Sequence, residues 1–252
     1  YVEGVRNIPL LSQSTALIDP AVAANMASGC YDASMATVRL TALENRGVRI
    51  FFQKEMTGFE QKKGEITAVF CENERFEADT FVLAAGSWSP EIARKLGLKI
   101  PVLPGKGYSI TLENPEKQLR IPAILCEARV AMTPMGNRLR IGGTMEIDSL
   151  DREKSVSLDR VRGILDGTSS FFPDLNLGMP PLNKIWHGLR PVSPDGLPYI
   201  GAAGGFRNFF VGTGHAMSGL SLGPATGFLL ANLMNSEAAG LDLTVFSAGR
   251  FG

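Results

Sequence analysis

The chain's 252 residues carry no net charge, and 44% are hydrophobic and 20% charged, an ordinary composition for a globular chain that buries a large core in one or two domains. Zero net charge argues against nucleic acid as a partner, because phosphate binding needs a basic surface. No apolar run approaches the roughly 20 residues of a membrane span. Three cysteines lie far apart, Cys30, Cys71 and Cys126, which argues against a disulfide framework or a zinc site and suits a reducing, cytoplasmic compartment. The two histidines, His187 and His215, are too few for a multi-histidine metal site.

Residues 1 to 20 read as irregular and end in Asp19-Pro20, an Asp cap ahead of a proline at a helix start. Helix-forming residues run from Ala21 to about Asn45, and Gly47 is the stop. Short strands are expected at Val48–Phe52, Ile66–Cys71 and Arg75–Glu77, with a turn at Lys62-Lys-Gly64. Phe81–Ala85 is a continuous apolar run of the kind buried on both faces, and Pro90–Leu96 is a short helix closed by Gly97. The texture then changes to short segments alternating with turns: Tyr108–Leu112, Ile121–Cys126, Arg129–Thr133 and Leu139–Gly142, with Pro134-Met-Gly-Asn137 as a hairpin turn. This is an antiparallel sheet. A helix over Leu158–Leu165 and a proline-rich connection over Phe171–Leu182 follow. Asn208–Val211 is another buried strand, and a helix covers about Ser221–Leu233. The chain thus leaves one domain near residue 100 and returns to it near 186.

Three segments carry chemistry. Thr80-Phe-Val-Leu-Ala-Ala-Gly-Ser-Trp-Ser-Pro90 is a strand, a small-residue turn and a helix. Ala84, Ala85 and Gly86 let a ligand lie against the backbone at a strand's carboxyl end, where open α/β sheets bind ligands; the same pattern serves an ordinary strand–helix turn. In the segment Trp186–Gly201, Arg190 is followed by Pro191, Pro194 and Pro198. Arginine pairs with a carboxylate through two parallel hydrogen bonds, so a proline-stiffened Arg190 suits an amino-acid carboxylate, or else a surface ion pair. From Phe209 on, glycines at 212, 214, 219, 223 and 227 precede and open a helix, the last three four apart and so along one helix face. They remove side chains where something approaches the backbone, and a helix N-terminus favours negative charge such as that of a reduced flavin ring. Tight helix packing is the other reading.

Together, in this order and spacing, the three segments resemble the FAD-dependent D-amino-acid oxidase/dehydrogenase superfamily, over about Asp19 to Asn235. Pro104-Gly-Lys-Gly-Tyr108, most similar to bacterial D-amino-acid dehydrogenases of the small-subunit type, and Arg140-Ile-Gly-Gly-Thr-Met-Glu146 add to the likeness. The resemblance implies an α/β chain, α+β overall. A Rossmann-like FAD-binding domain of the glutathione-reductase type is expected from 1–100 and 186–252, and an antiparallel-sheet substrate domain from 101–185. No GxGxxG occurs, so the unit that holds the ADP half of FAD is expected to be missing and the FAD domain incomplete.

Residue by residue, the resemblance implies that Arg190 holds the substrate carboxylate and that the backbone carbonyl of Met217 meets the substrate amine. Met217 stands where most relatives have glycine, which narrows the pocket. Tyr108 lines the pocket or packs in the sheet. Ala85, Gly86, Ser87 and Trp88 form the second flavin segment, and Gly214, His215, Gly219, Leu220 and Ser221 the third, with His215 a packed residue near the ring. The implied reaction of the full-length protein is oxidation of a D-amino acid to a 2-oxo acid and ammonia, with FAD as cofactor and no essential general base. Oxygen or a respiratory quinone would be the acceptor, the latter implying peripheral contact with the inner face of the plasma membrane. Within the same superfamily, glycine, sarcosine or proline oxidation is the alternative; outside it, a non-catalytic binding module. On its own the chain is expected to be colourless, without FAD and inactive, and to self-associate through sheet surface left exposed.

Overall fold

A computed structural model of the protein describes residues 15–18, 43–150 and 155–251. In chain order the strands begin with β1 (Thr15–Ile18), β2 (Arg49–Phe52), β3 (Met56–Lys62), β4 (Glu65–Cys71), β5 (Glu74–Glu77) and β6 (Phe81–Leu83), after which helix α1 covers Ser89–Arg94. Next come β7 (Leu103–Glu113), β8 (Ala123–Leu125), β9 (Val130–Met135), β10 (Arg138–Ile147), helix α2 (Leu158–Phe171) and β11 (Ile185–Val192). The described chain closes with β12 (Tyr199–Ala202), β13 (Phe209–Thr213) and helix α3 (Gly219–Met234). The helix expected over about 21–45, with its Asp19-Pro20 start, and Cys30 fall almost wholly outside the described residues.

The chain divides into two compact units, Tyr1–Val102 with Pro191–Gly252, and Leu103–Arg190. In the first, β1 pairs parallel with β2, from Thr15↔Arg49 to Ile18↔Phe52. Residues 15–18 were expected to be irregular and are instead a strand; Thr-Ala-Leu-Ile is too short a run to show alternation by itself. A second sheet has the order β3-β4-β5, and a third β12-β13-β6, in which β13 runs parallel to β6 and antiparallel to β12. Asn208 ties them: its Oδ1 accepts from the Ile66 N–H at 2.9 Å, and its Nδ2 donates to the Ile66 and Asp79 carbonyls. Ile66, Leu83, Ala93, Leu96, Ile100, Tyr199, Phe209 and Val211 form the core. Gly97 ends α1 with φ +73, and the Leu98 N–H returns to the Ala93 carbonyl, the left-handed close that glycine adopts without strain.

The expectation for Phe81–Ala85 needs correction. The strand stops at Leu83, and Val82 is 42% exposed while Leu83 is buried. Among the described residues β6 pairs with β13 alone, and its side chains alternate between core and surface as on any half-buried strand.

The second unit is a five-stranded sheet of order β11-β7-β10-β9-β8, in which β8, β9, β10 and β7 pair antiparallel. The β9–β10 hairpin closes through Gly136-Asn137 with Gly136 at φ +63, the glycine-first pattern of a type II′ turn. Helix α2 covers one face of the sheet. Its Val161, Ile164 and Leu165 join Tyr108, Ile110, Met132, Leu139, Ile141 and Ile185 in a single core. α2 runs six residues past its expected end, because Gly167 is no breaker here: a Cβ on it would sit 3.0 Å from Ala128 Cβ, so the glycine allows close approach within the helix.

Candidate active site

In β11 alternate side chains face opposite sides of the sheet. Ile185 is buried in the core, and the His187 ring lies 6.2 Å from that of Tyr108. Trp186, Gly188 and Arg190 therefore share the face away from α2. Trp186 folds back over Gly188, where a Cβ would come within 2.5 Å of its Cη2. The Arg190 guanidinium lies on the backbone of Gly107 in the neighbouring strand β7. A Cβ on Gly107 would stand 2.6 Å from Nη2, and closer still to Cζ and Nη1. Arg190 Nη1 is buried and has no hydrogen-bond partner among the described residues. A buried cationic donor without an acceptor is costly, and a carboxylate is the group whose two oxygens match the guanidinium fork.

The other face of β7 is a sealed polar core. Lys106 is fully buried and its Nζ donates to Asp148 Oδ2 at 3.1 Å and to the Ser155 carbonyl at 2.9 Å. Tyr108 is 1% exposed. Its hydroxyl donates to Glu146 Oε1 at 2.5 Å and accepts the Ser157 N–H at 3.2 Å, while Arg160 Nε donates to Glu146 Oε2 at 3.1 Å. Burial, then the hydrogen bond to Glu146, push the Tyr108 hydroxyl up to about 12. A bulge in β10 between Gly143 and Glu146, with Thr144 at φ +56, sets Glu146 for this contact. Tyr108 is thus a core residue on the face opposite Arg190, and it lines no pocket on the arginine's side; successive strand residues cannot face the same way. His187, held below its usual value by burial and then by the nearby Lys106 charge, lies in the same core.

In the first unit the parallel strands β6 and β13 end side by side. Beyond β6, Ala85, Gly86, Ser87 and Trp88 form a tight turn, with Gly86 at φ +55 and open space where its Cβ would be. Thr213 Oγ1 donates to the Gly86 carbonyl at 3.2 Å and Ser89 Oγ donates to Thr213 Oγ1 at 2.9 Å, fixing this turn to the end of β13. Ser87 Oγ is buried without a partner among the described residues. Beyond β13, Gly214 takes φ +79 with the Tyr199 ring 2.9 Å from where its Cβ would be, so this position requires glycine twice over. His215 Nε2 meets Thr226 Oγ1 of α3 at 2.9 Å, and burial lowers its pKa, as suits a packed, neutral imidazole. Met217 is 75% exposed. Gly219, Leu220 and Ser221 open α3, whose N-terminus has no capping side chain and no acidic residue in its first turn. The positive end of the helix dipole is left uncompensated by these residues.

The glycine stripe of α3 departs from expectation. Gly223 and Gly227 have open space where a Cβ would be, whereas Gly212 in β13 is the close approach, with Leu230 Cδ1 at 2.9 Å. Two residues went unmarked in the sequence. Gly107 sits in the noted Gly-Lys-Gly spacing, but its partner is 83 positions away in the chain. Ser193, next to Gly214, has a buried hydroxyl with no partner among the described residues; a lone serine gives no sequence signal.

Residues 12–233 match the DAO family, described as FAD dependent oxidoreductase. The chain belongs to this family. It is 32% identical over 208 residues to the D-amino acid dehydrogenase of Granulibacter bethesdensis, covering 82% of this chain and 49% of that protein. With the D-amino acid dehydrogenase of Methylobacterium sp. it shares 35% identity over 217 residues, at 82% and 49% coverage. The chain thus spans about half the length of these curated relatives. The crystal structure of glycine oxidase from Geobacillus kaustophilus superposes with a TM-score of 0.72 at 26% identity, over 86% of this chain and 58% of that one.

The residues of the first unit fit the flavin this DAO-family membership implies. The turn after β6 offers open backbone at Gly86 beside the orphaned Ser87 hydroxyl. Gly214 and the uncapped α3 N-terminus offer N–H groups and positive dipole. Such donors suit the polar edge of a flavin ring that gains negative charge on reduction. Among the described residues no helix is long and apolar enough to cross a membrane, and no cluster of His, Cys, Asp or Glu suits a metal ion.

Proposed function

We propose that the protein takes part in FAD-dependent oxidation of a D-amino acid, with Arg190 as the anchor for the substrate carboxylate. The observation that carries this reading is the buried Nη1 of Arg190, unpartnered among the described residues, on a glycine-lined strand face. FAD, when bound, supplies the two-electron acceptor. Gly86, Ser87, Gly214 and the first turn of α3 are the residues that would hold it. The names of the two relatives point to D-amino acids. Loss of the Cα hydrogen with two electrons, and of one amine proton, leaves an imino acid that water converts to the 2-oxo acid and ammonia. The chain's contribution is placement. Arg190 fixes the carboxylate and so the direction of the Cα–H bond, and the Met217 backbone carbonyl is the proposed acceptor for the amine. No side chain need move the Cα proton.

The test is kinetic. In the flavin-loaded protein, Arg190→Ala should lower kcat/KM for D-amino acids by roughly a hundredfold or more, equivalent to about 3 kcal/mol. It should leave the corresponding amino-acid amides, which lack the carboxylate, nearly unchanged. Equal loss on acid and amide would remove Arg190 from the carboxylate.

A further inference from the structure

We propose that Gly107 is the positioning residue of Arg190: the missing side chain is what lets the guanidinium lie flat on β7, in the place from which it anchors a carboxylate. This rests on the carboxylate reading of Arg190. Glycine within a strand costs conformational entropy and forgoes side-chain packing, so it calls for a reason. Backbone conformation is not that reason, since Gly107 has no positive φ, unlike Gly86, Gly136 or Gly214. Nor is crowding by the main chain. A Cβ on Gly143 would meet the Arg129 carbonyl at 2.8 Å, whereas the three atoms nearest a Cβ on Gly107 all belong to the Arg190 guanidinium. These atoms are the far end of a flexible side chain. An added methyl group would therefore leave the sheet standing and move the anchor.

The flanking residues sharpen the point. Lys106 and Tyr108 are committed to hydrogen bonds on the opposite face, so β7 is held in register on both sides of the glycine and cannot shift to make room. The displaced guanidinium would lose its rest against the strand, and with it the pre-organisation that makes one carboxylate geometry favourable.

The experiment is a double-mutant cycle in the flavin-loaded protein, with Gly107→Ala, Arg190→Ala and both together, read three ways. Steady-state kinetics with a D-amino acid should show KM raised tenfold or more by Gly107→Ala, and no further loss when it is added to Arg190→Ala. Calorimetric titration with benzoate, a carboxylate without an amine, should show the same weakening and the same absence of additivity. Thermal melting should show that any loss of stability from Gly107→Ala disappears in the Arg190→Ala background, because the group it collides with is gone. If Gly107→Ala unfolds the protein, Arg190→Ala in the same chain should restore folding; failure to restore it overturns the proposal. Wild-type KM and benzoate affinity in Gly107→Ala, with Arg190→Ala impaired, would overturn the role of Gly107 and leave Arg190 standing. Undiminished losses from Gly107→Ala without Arg190 present would overturn it too. Unchanged benzoate binding in Arg190→Ala would bring down the carboxylate reading itself, and the proposal with it.

Discussion

Neighbouring residues of β7 do opposite jobs because a strand sends them to opposite faces. Gly107 yields space to Arg190, while Tyr108 closes a polar core through Glu146 and Ser157. Tyr108→Phe should therefore act on stability and leave substrate affinity alone. It strands the Ser157 N–H and one Glu146 oxygen, at a cost of about 1–3 kcal/mol in denaturant unfolding. Its pH dependence has a definite sign. The folded hydroxyl, at about 12, is raised above the ordinary value of 10.0, so its contribution is present below pH 10.0 and is lost as pH rises toward 12. The stability gap between wild type and Tyr108→Phe should narrow over that range. A gap that widened, or a rise in KM without loss of stability, would contradict this placement. At this scale the motif around Arg190 pointed to a carboxylate-binding guanidinium, the role proposed for it. The role of Tyr108 was not, because motif spacing does not say which face of a strand a residue takes.

Among elements, β11 is one of four described strands not expected from the sequence, with β1, β3 and β12. Trp-His-Gly-Leu-Arg-Pro mixes polar, glycine and proline residues that speak against a strand, and the following prolines read only as stiffening the backbone around Arg190. The structure instead sets Arg190 on a strand at the sheet edge beside β7, and this strand carries the chain on past residue 186. The expected strands of the antiparallel sheet and the Gly136 turn were readable, since alternation and turn chemistry are local. β7 extends further toward the N-terminus than expected because Pro104, Gly105 and Lys106 mask its start. After β11, the Pro194-Asp-Gly turn is clamped by Arg250. Its Nε and Nη2 donate to the two Asp195 oxygens at 2.8 and 2.9 Å, and its guanidinium stacks 3.9 Å over the Tyr199 ring. The Arg250 hydrogen bonds, foremost, hold the Asp195 carboxyl down at about 2, against an ordinary 3.8. Its stabilising share is thus full above pH 3.8 and lost as pH falls toward 2. Arg250→Ala should lower Tm at neutral pH by on the order of 5 °C, and the difference from wild type should shrink in acid. A difference that grew in acid would rule out the clamp.

For the molecule as a whole, two units carry two halves of the proposed chemistry. The unit holding β6, β13 and α3 supplies open backbone, a Ser87 hydroxyl without a partner among the described residues, and a helix N-terminus suited to a flavin. The Leu103–Arg190 unit supplies a glycine-paved sheet face with a guanidinium whose buried Nη1 has no acceptor among the described residues. The change of texture near residue 100 falls where the first compact unit gives way to the second, and the proposal assigns the flavin to the one and the substrate carboxylate to the other. Family membership was readable from three short segments. The support beneath Arg190 was not, because it joins residues far apart in sequence, and only pairing of β7 with β11 brings them together. The most direct test of the central claim is anaerobic absorbance of the flavin-loaded protein, mixed in turn with D-amino acids, their L-enantiomers, glycine and proline. Bleaching of the flavin band by D-amino acids, absent with the L-enantiomers, glycine and proline and strongly weakened in Arg190→Ala, is the predicted result; a band bleached by glycine, proline or L-amino acids in preference, or by none of these, would contradict it.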